Sequence, residues 1–139
     1  MKTAREIMHQ GAECINENES LLKAARMMRD LDVGSLPICG NDDKLHGMIT
    51  DRDIVIKCCA EGRNPAEMTA GELANGAPRC VNADADVEQV VRTMRNHRIR
   101  RVPVLENQRM VGMISEADLA RHLTDEQIAR FVTGVYATA

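Results

Sequence analysis

Gly47-Met48-Ile49-Thr50-Asp51-Arg52-Asp53 and Gly112-Met113-Ile114-Ser115-Glu116-Ala117-Asp118 follow one pattern, G-x-x-[ST]-x-x-D. Each leaves a short apolar stretch and enters a segment with helical spacing. The hydroxyl residue therefore falls at a helix N-cap with an acid three residues on, which is how many helices begin for structural reasons alone. The same arrangement also suits a ribose-phosphate. A helix N-terminus offers unpaired N–H groups and a positive dipole end. A hydroxyl there can donate to a phosphate oxygen, and a carboxylate can accept from two adjacent sugar hydroxyls. Both readings stay open for Thr50, Asp53, Ser115 and Asp118.

Working outward, the two patterns sit in a duplicated chain. With Pro37 set against Pro103, Thr3, Ala4 and Glu6 meet Thr69, Ala70 and Glu72, and Cys14 meets Cys80. Leu21, Ala24, Ala25 and Met28 meet Val87, Val90, Val91 and Met94. The second copy is one residue shorter before its glycine, after which Gly47 to Asp53 meet Gly112 to Asp118.

Each copy predicts the same elements. An extended stretch (Cys14–Asn16, Cys80–Asn82) precedes a helix over Leu21–Leu31 or Val87–Asn96, whose apolar residues recur at i, i+3, i+4 and i+7. Ser20 and Asp86 suit its N-cap. Two strands follow, Leu36–Cys39 and Leu45–Ile49, or Val102–Leu105 and Met110–Ile114. Their prolines belong at a strand start or on an edge, because proline cannot donate to a ladder. A second helix runs from Asp51 to about Glu61, with Gly62 ending it, or over Glu116–Leu123. The expected fold class is thus α/β (α+β): two β-α-β-β-α repeats, 1–66 with its leader and 67–123, packed about a pseudo-two-fold axis. Alone, a unit of this size buries little surface.

Residues 124–139 form a helical tail. Thr124 and Gln127 make a capping box for a helix from Asp125 to about Thr133, ending before Gly134. The chain's two aromatics, Phe131 and Tyr136, both lie in this tail. Two roles are open to it: docking on its own repeat, or an oligomer contact.

Composition narrows the function. The 139 residues are 44% apolar and 28% charged, with net charge −3. A mildly acidic chain with two aromatics has little with which to hold nucleic acid. No run of about eighteen apolar residues occurs, and no secretory pattern opens the chain, so no membrane association and a cytoplasmic location are expected. No nucleophile elbow, P-loop or tandem metal motif is present, so no enzyme, catalytic set or metal-ligand set is expected. His9, His46, His97 and His122 follow no zinc spacing, and a site assembled across a dimer stays open. Of the five cysteines, Cys58 and Cys59 are adjacent, a poor pair for one metal. Buried thiols are the expected state of the cysteines, with a Cys14–Cys39 disulfide left to geometry.

The repeat, the strand prolines in Leu36-Pro37-Ile38 and Val102-Pro103-Val104, and the doubled G-x-x-[ST]-x-x-D together resemble paired CBS domains, the Bateman module, over residues 1–123. Asp51-Arg52-Asp53-Ile54-Val55-Ile56-Lys57 and Glu116-Ala117-Asp118-Leu119-Ala120-Arg121-His122-Leu123 are similar to the small stand-alone CBS-pair proteins of actinobacteria. The resemblance implies a regulatory module binding an adenosine-containing ligand: AMP, ADP, ATP or S-adenosylmethionine. It implies that Asp53 and Asp118 grip ribose, that Thr50 and Ser115 face phosphate, and that Gly34, Ser35, Arg100 and Arg101 line the clefts. It also implies a homodimer, signalling to an effector protein, a stress setting, and no obligatory cofactor. Arg100 and Arg101 replace Gly34 and Ser35, and guanidinium forks suit phosphate, so the two seats differ in charge. Arg92 and Arg95 read as a solvated helix face. The alternative is a non-nucleotide-binding dimeric interaction protein with vestigial clefts, with thiol or metal chemistry.

Overall fold

A computed structural model describes residues 2–10, 13–74 and 78–136. In chain order its elements are α1 (Ala4–Ile7), β1 (His9–Gln10), β2 (Ile15–Asn16), α2 (Leu21–Leu31), β3 (Ser35–Cys39), β4 (Leu45–Thr50) and α3 (Asp51–Ile54). A π turn (Val55–Cys59) and a 3-10 turn (Ala70–Leu73) follow, then β5 (Val81–Asn82), α4 (Val87–Asn96), β6 (Arg101–Glu106), β7 (Arg109–Ser115), α5 (Glu116–His122) and α6 (Asp125–Tyr136). The mixed α/β class and the repeated element order match the sequence reading.

The chain divides into two compact units, one of Glu13–Pro78, the other of Met1–Ala12 with Arg79–Ala139. This differs from the expected 1–66, 67–123 and 124–139, because the two leaders exchange places. In the leader of copy one, Ala4 N–H donates to Ala85 O at 2.8 Å, and Lys2 O accepts from Val87 N–H at 3.0 Å. In the leader of copy two, Ala70 N–H donates to Glu19 O at 2.8 Å, and Met68 O accepts from Leu21 N–H at 2.9 Å. Each leader thus satisfies backbone groups at the start of the other copy's first helix, where a helix leaves N–H groups unpaired. Ala4 and Ile7 join the core of copy two, and Met68, Ala70 and Leu73 that of copy one.

In the Glu13–Pro78 unit the sheet order is β2-β3-β4, with β2 parallel and β4 antiparallel to β3. In the other unit it is β1-β7-β6-β5, with only β5 parallel to its neighbour. Pro37 and Pro103 lie within central strands. They are tolerated because two-residue β2 is in register only with Ile38 and Cys39, and β5 only with Val104 and Leu105. Each proline therefore sits where its strand has one ladder partner, locally an edge.

The first helices form as their spacing dictates. Ser20 Oγ accepts Lys23 N–H at 3.1 Å and Asp86 Oδ1 accepts Gln89 N–H at 2.9 Å. Leu21, Ala24 and Met28, and Val87, Val90, Val91 and Met94, are buried. Asp32 caps the first of these helices with φ 55°, and Arg98, at the aligned position and one residue past the His97 cap of the other, has φ 52°. The second helix of copy one ends sooner than Glu61. After Ile54 it widens into the π turn, Ala60 N–H reaching Val55 O at 2.8 Å, and Gly62 follows at φ 72°.

Helix α6 runs through Gly134 to Tyr136, past the expected stop. A Cβ on Gly134 would overlap Arg95 Cγ and Cδ, so this glycine serves close packing of α6 on α4 rather than termination. Phe131 is buried in the core of its own unit, so the tail docks on its repeat. Tyr136 remains half exposed.

Candidate functional site

In copy one, Thr50 ends β4 and caps α3. Its Oγ accepts Asp53 N–H and its own N–H donates to Asp53 Oδ2, both at 3.0 Å. The purely structural capping box is thus real, and both partners in it remain available to more. Asp53 Oδ1 has Lys57 Nζ at 3.4 Å, and the carboxylate side chain is 23% exposed. Ser35 stands opposite Thr50 in the β3–β4 register. Its hydroxyl is buried and, among the described residues, is the buried side-chain polar atom left without a hydrogen-bond partner. Such a group carries a desolvation cost with nothing to offset it. Gly34 O accepts Asp51 N–H at 3.0 Å, tying the β3 entry to the helix start.

In copy two the box repeats and is then filled. Ser115 N–H and Oγ donate to Asp118 Oδ2 at 2.9 and 3.0 Å. His9 Nδ1 lies 2.8 Å from the same oxygen, and Arg121 Nη2 donates to Oδ1 at 2.6 Å. Asp118 is only 3% exposed. Burial pushes its carboxyl pKa up, and the Ser115 amide, His9 and Arg121 together outweigh this, leaving it below the usual carboxylate value. Arg101 opens β6 opposite Ser115, as Ser35 faces Thr50. Arg100 O accepts Glu116 N–H at 3.2 Å, and its guanidinium stands 5.8 Å from the Tyr136 ring. The Tyr136 hydroxyl donates to Glu116 Oε1.

The structure therefore gathers Gly34, Ser35, Thr50 and Asp53 in one unit, and Arg100, Arg101, Ser115 and Asp118 in the other. From sequence alone His9 is weighed only as a zinc ligand, and no role at the seats is assigned to His9, Arg121 or Lys57. Arg121 and Lys57 stand three and four residues after their acids on a helix, a pairing distance. The signal for His9 was the asymmetry of the leaders, since Asn75 occupies the aligned place.

The cysteines depart from the expectation of buried thiols. Cys14 and Cys39 form a disulfide, Cα–Cα 5.9 Å, joining the chain entering β2 to the end of neighbouring β3. Cys80 aligns with Cys14 but has Leu105 in the place of Cys39, so copy two cannot repeat the bridge. Burial pushes the Cys80 thiol pKa up. Cys58 is buried, its thiol pKa also raised, chiefly by burial, and donates to Arg63 O at 3.5 Å; Cys59 is exposed. His46 lies between Asp42, 3.0 Å from Nε2, and Glu17, 3.2 Å from Nδ1. Among the described residues no group of three His, Cys, Asp or Glu could hold a metal ion, and no helix is long and apolar enough to cross a membrane.

The CBS domain family model matches residues 4–58 and 70–125, so the chain belongs to the CBS-domain family, as a tandem pair of the regulatory kind. Within that family it is similar to Hypoxic response protein 1 of Mycobacterium tuberculosis, 50% identical over 135 residues, 97% of this chain and 94% of the relative. A crystal structure of Hypoxic Response Protein I with two coordinated zinc ions matches at 52% identity and TM-score 0.82, over 88% of this chain and all of that one. The CBS domain pair of protein MJ0100, in complex with 5′-methylthioadenosine and S-adenosyl-L-methionine, matches at 26% identity and TM-score 0.77, over 87% of this chain and 94% of that one.

Proposed function

We propose that this CBS pair senses an adenosine-containing ligand (AMP, ADP, ATP or S-adenosylmethionine) and that its principal seat is formed by Gly34, Ser35, Thr50 and Asp53. The observation that carries the reading is the buried, unpartnered Ser35 hydroxyl beside a capping box whose acid is still partly open. Asp53 takes the ribose hydroxyls; Thr50 and Ser35 supply hydroxyl donors to phosphate or its equivalent at the start of α3. The adenosyl complex of the MJ0100 pair supports this ligand class. Arg100, Arg101, Ser115 and Asp118 form a second seat, more basic and already internally bonded. The protein is not an enzyme. Occupancy is read by an effector protein or across a homodimer.

A second reading has its own support. The Cys14–Cys39 disulfide, together with the zinc ions held by Hypoxic Response Protein I, favours a dimeric stress protein with thiol or metal chemistry. Ligand-dependent melting separates the two. A ligand bound only by the native state adds about 2.7 kcal/mol at a hundred times Kd. The adenosyl reading expects that gain in the wild type and its loss in Asp53→Ala; a melting point unmoved by all four ligands supports the second reading.

A further inference from the structure

We infer that His9 is a latch that closes the copy-two seat, so that the pair takes ligand at one seat rather than two. The inference rests on the adenosyl-ligand reading above. In both copies the N-cap amide donates to Oδ2 of the motif aspartate, and a ribose diol would use the acceptor capacity that remains. An ionised carboxylate offers about four lone-pair sites. Asp118 receives Ser115 N–H, Ser115 Oγ–H and His9 at Oδ2 and Arg121 at Oδ1, so Oδ2 is crowded past its two lone pairs and one acceptor site is left, on Oδ1. Among the described residues, Asp53 receives Thr50 N–H and faces only Lys57 besides.

The latch is built into the fold. Strand β1 pairs with β7, His9 opposite Met113 and Gln10 opposite Gly112. A Cβ on Gly112 would lie 2.5 Å from Met8 Sδ and 2.7 Å from His9 O, so the motif glycine lets the leader approach. The strand holds the imidazole on Asp118, and because a carboxylate only accepts, Nδ1 carries the proton. His9 itself is 51% exposed and can swing out without leaving a hole in the core. The leader of copy two carries no matching histidine for the copy-one seat: Asn75 stands where the repeat would put it. Duplicated motifs are thereby made unequal by a residue outside them.

A charge-assisted bond whose imidazole is half exposed resists displacement by roughly twofold in affinity, about 0.5 kcal/mol. The test is calorimetric titration with AMP and ATP of four proteins: wild type, Asp53→Ala, His9→Ala and the double variant. The latch predicts binding in the wild type, much weaker binding in Asp53→Ala, and at least twofold higher affinity in the double variant than in Asp53→Ala. A silent double variant beside a binding wild type overturns the latch and leaves the copy-one seat standing. So does Asp53→Ala binding as tightly as the double variant. Silence from all four proteins overturns the ligand reading and the latch together. The His9 ring NMR signals of the unsubstituted protein give a check that needs no variant. They should move only when excess ligand enters a second, weaker seat, and a second binding event with the ring unmoved overturns the latch.

Discussion

Asp118→Ala should destabilise the protein far more than Asp53→Ala, although the two residues are copies of each other. Asp53→Ala removes one acceptor for the Thr50 amide and an acid in the first turn of α3, together about 1 kcal/mol. Asp118→Ala removes the same two contributions and three more contacts, to Ser115 Oγ, His9 and Arg121. Hydrogen bonds to charged groups reach about 1.5–3 kcal/mol each when buried. His9 and Arg121 are 51% and 65% exposed, which cuts their share to about 0.5 kcal/mol apiece. The sum is about 3.5–5 kcal/mol. At about 4 °C per kcal/mol for a chain of this length, the melting point should fall about 14–20 °C for Asp118→Ala and about 4 °C for Asp53→Ala. Circular dichroism melts at pH 7 without ligand measure both. The Asp118 carboxyl pKa is depressed in the fold, so its stabilisation is present above the ordinary value near 4. It is lost as pH falls through the depressed value. Asp118→Asn should therefore flatten the acid limb of the stability curve. Equal losses for the two alanine variants, or a larger loss for Asp53→Ala, would refute the claim that the copy-two acid is the more heavily bonded of the two.

Ser35→Ala should leave the ligand-free protein as stable or up to about 1 kcal/mol more stable, since it deletes a buried unpaired hydroxyl, and should weaken adenosyl-ligand binding in titration. Reducing the Cys14–Cys39 bridge, which spans 25 residues of sequence, should cost about 3.5 kcal/mol in urea unfolding by the loop-entropy relation, and Cys14→Ser should match it. Gly134→Ala should lower the melting point despite a helix-propensity gain of about 1 kcal/mol, because its methyl meets Arg95 Cγ. Adding Arg95→Ala should restore it.

The repeated elements were legible because their determinants are local. Ser20 and Asp86 start helices by bonding three residues on, and the Leu21 and Val87 stripes need only a 3.6-residue period. What escaped the sequence was long-range. The exchange of leaders depends on where Ala4 and Ala70 find acceptors, Ala85 and Glu19, far along the chain. The Gly134 reading failed for the same reason: a glycine after an apolar run signals a helix stop, unless a neighbouring helix stands too close for a side chain. Of the site, the Thr50–Asp53 and Ser115–Asp118 boxes were readable from spacing. The orphaned Ser35 hydroxyl and the His9 contact were not, since both are set by strand register, Ser35 against Thr50 and His9 against Met113.

The most direct test of the account is calorimetric titration of the protein with AMP, ADP, ATP and S-adenosylmethionine, beside Ser35→Ala and Asp53→Ala. The account predicts saturable binding of at least one of the four, weakened in Ser35→Ala and lost in Asp53→Ala. No heat from any ligand, with the wild type folded, would contradict it; so would binding that survives Asp53→Ala unchanged.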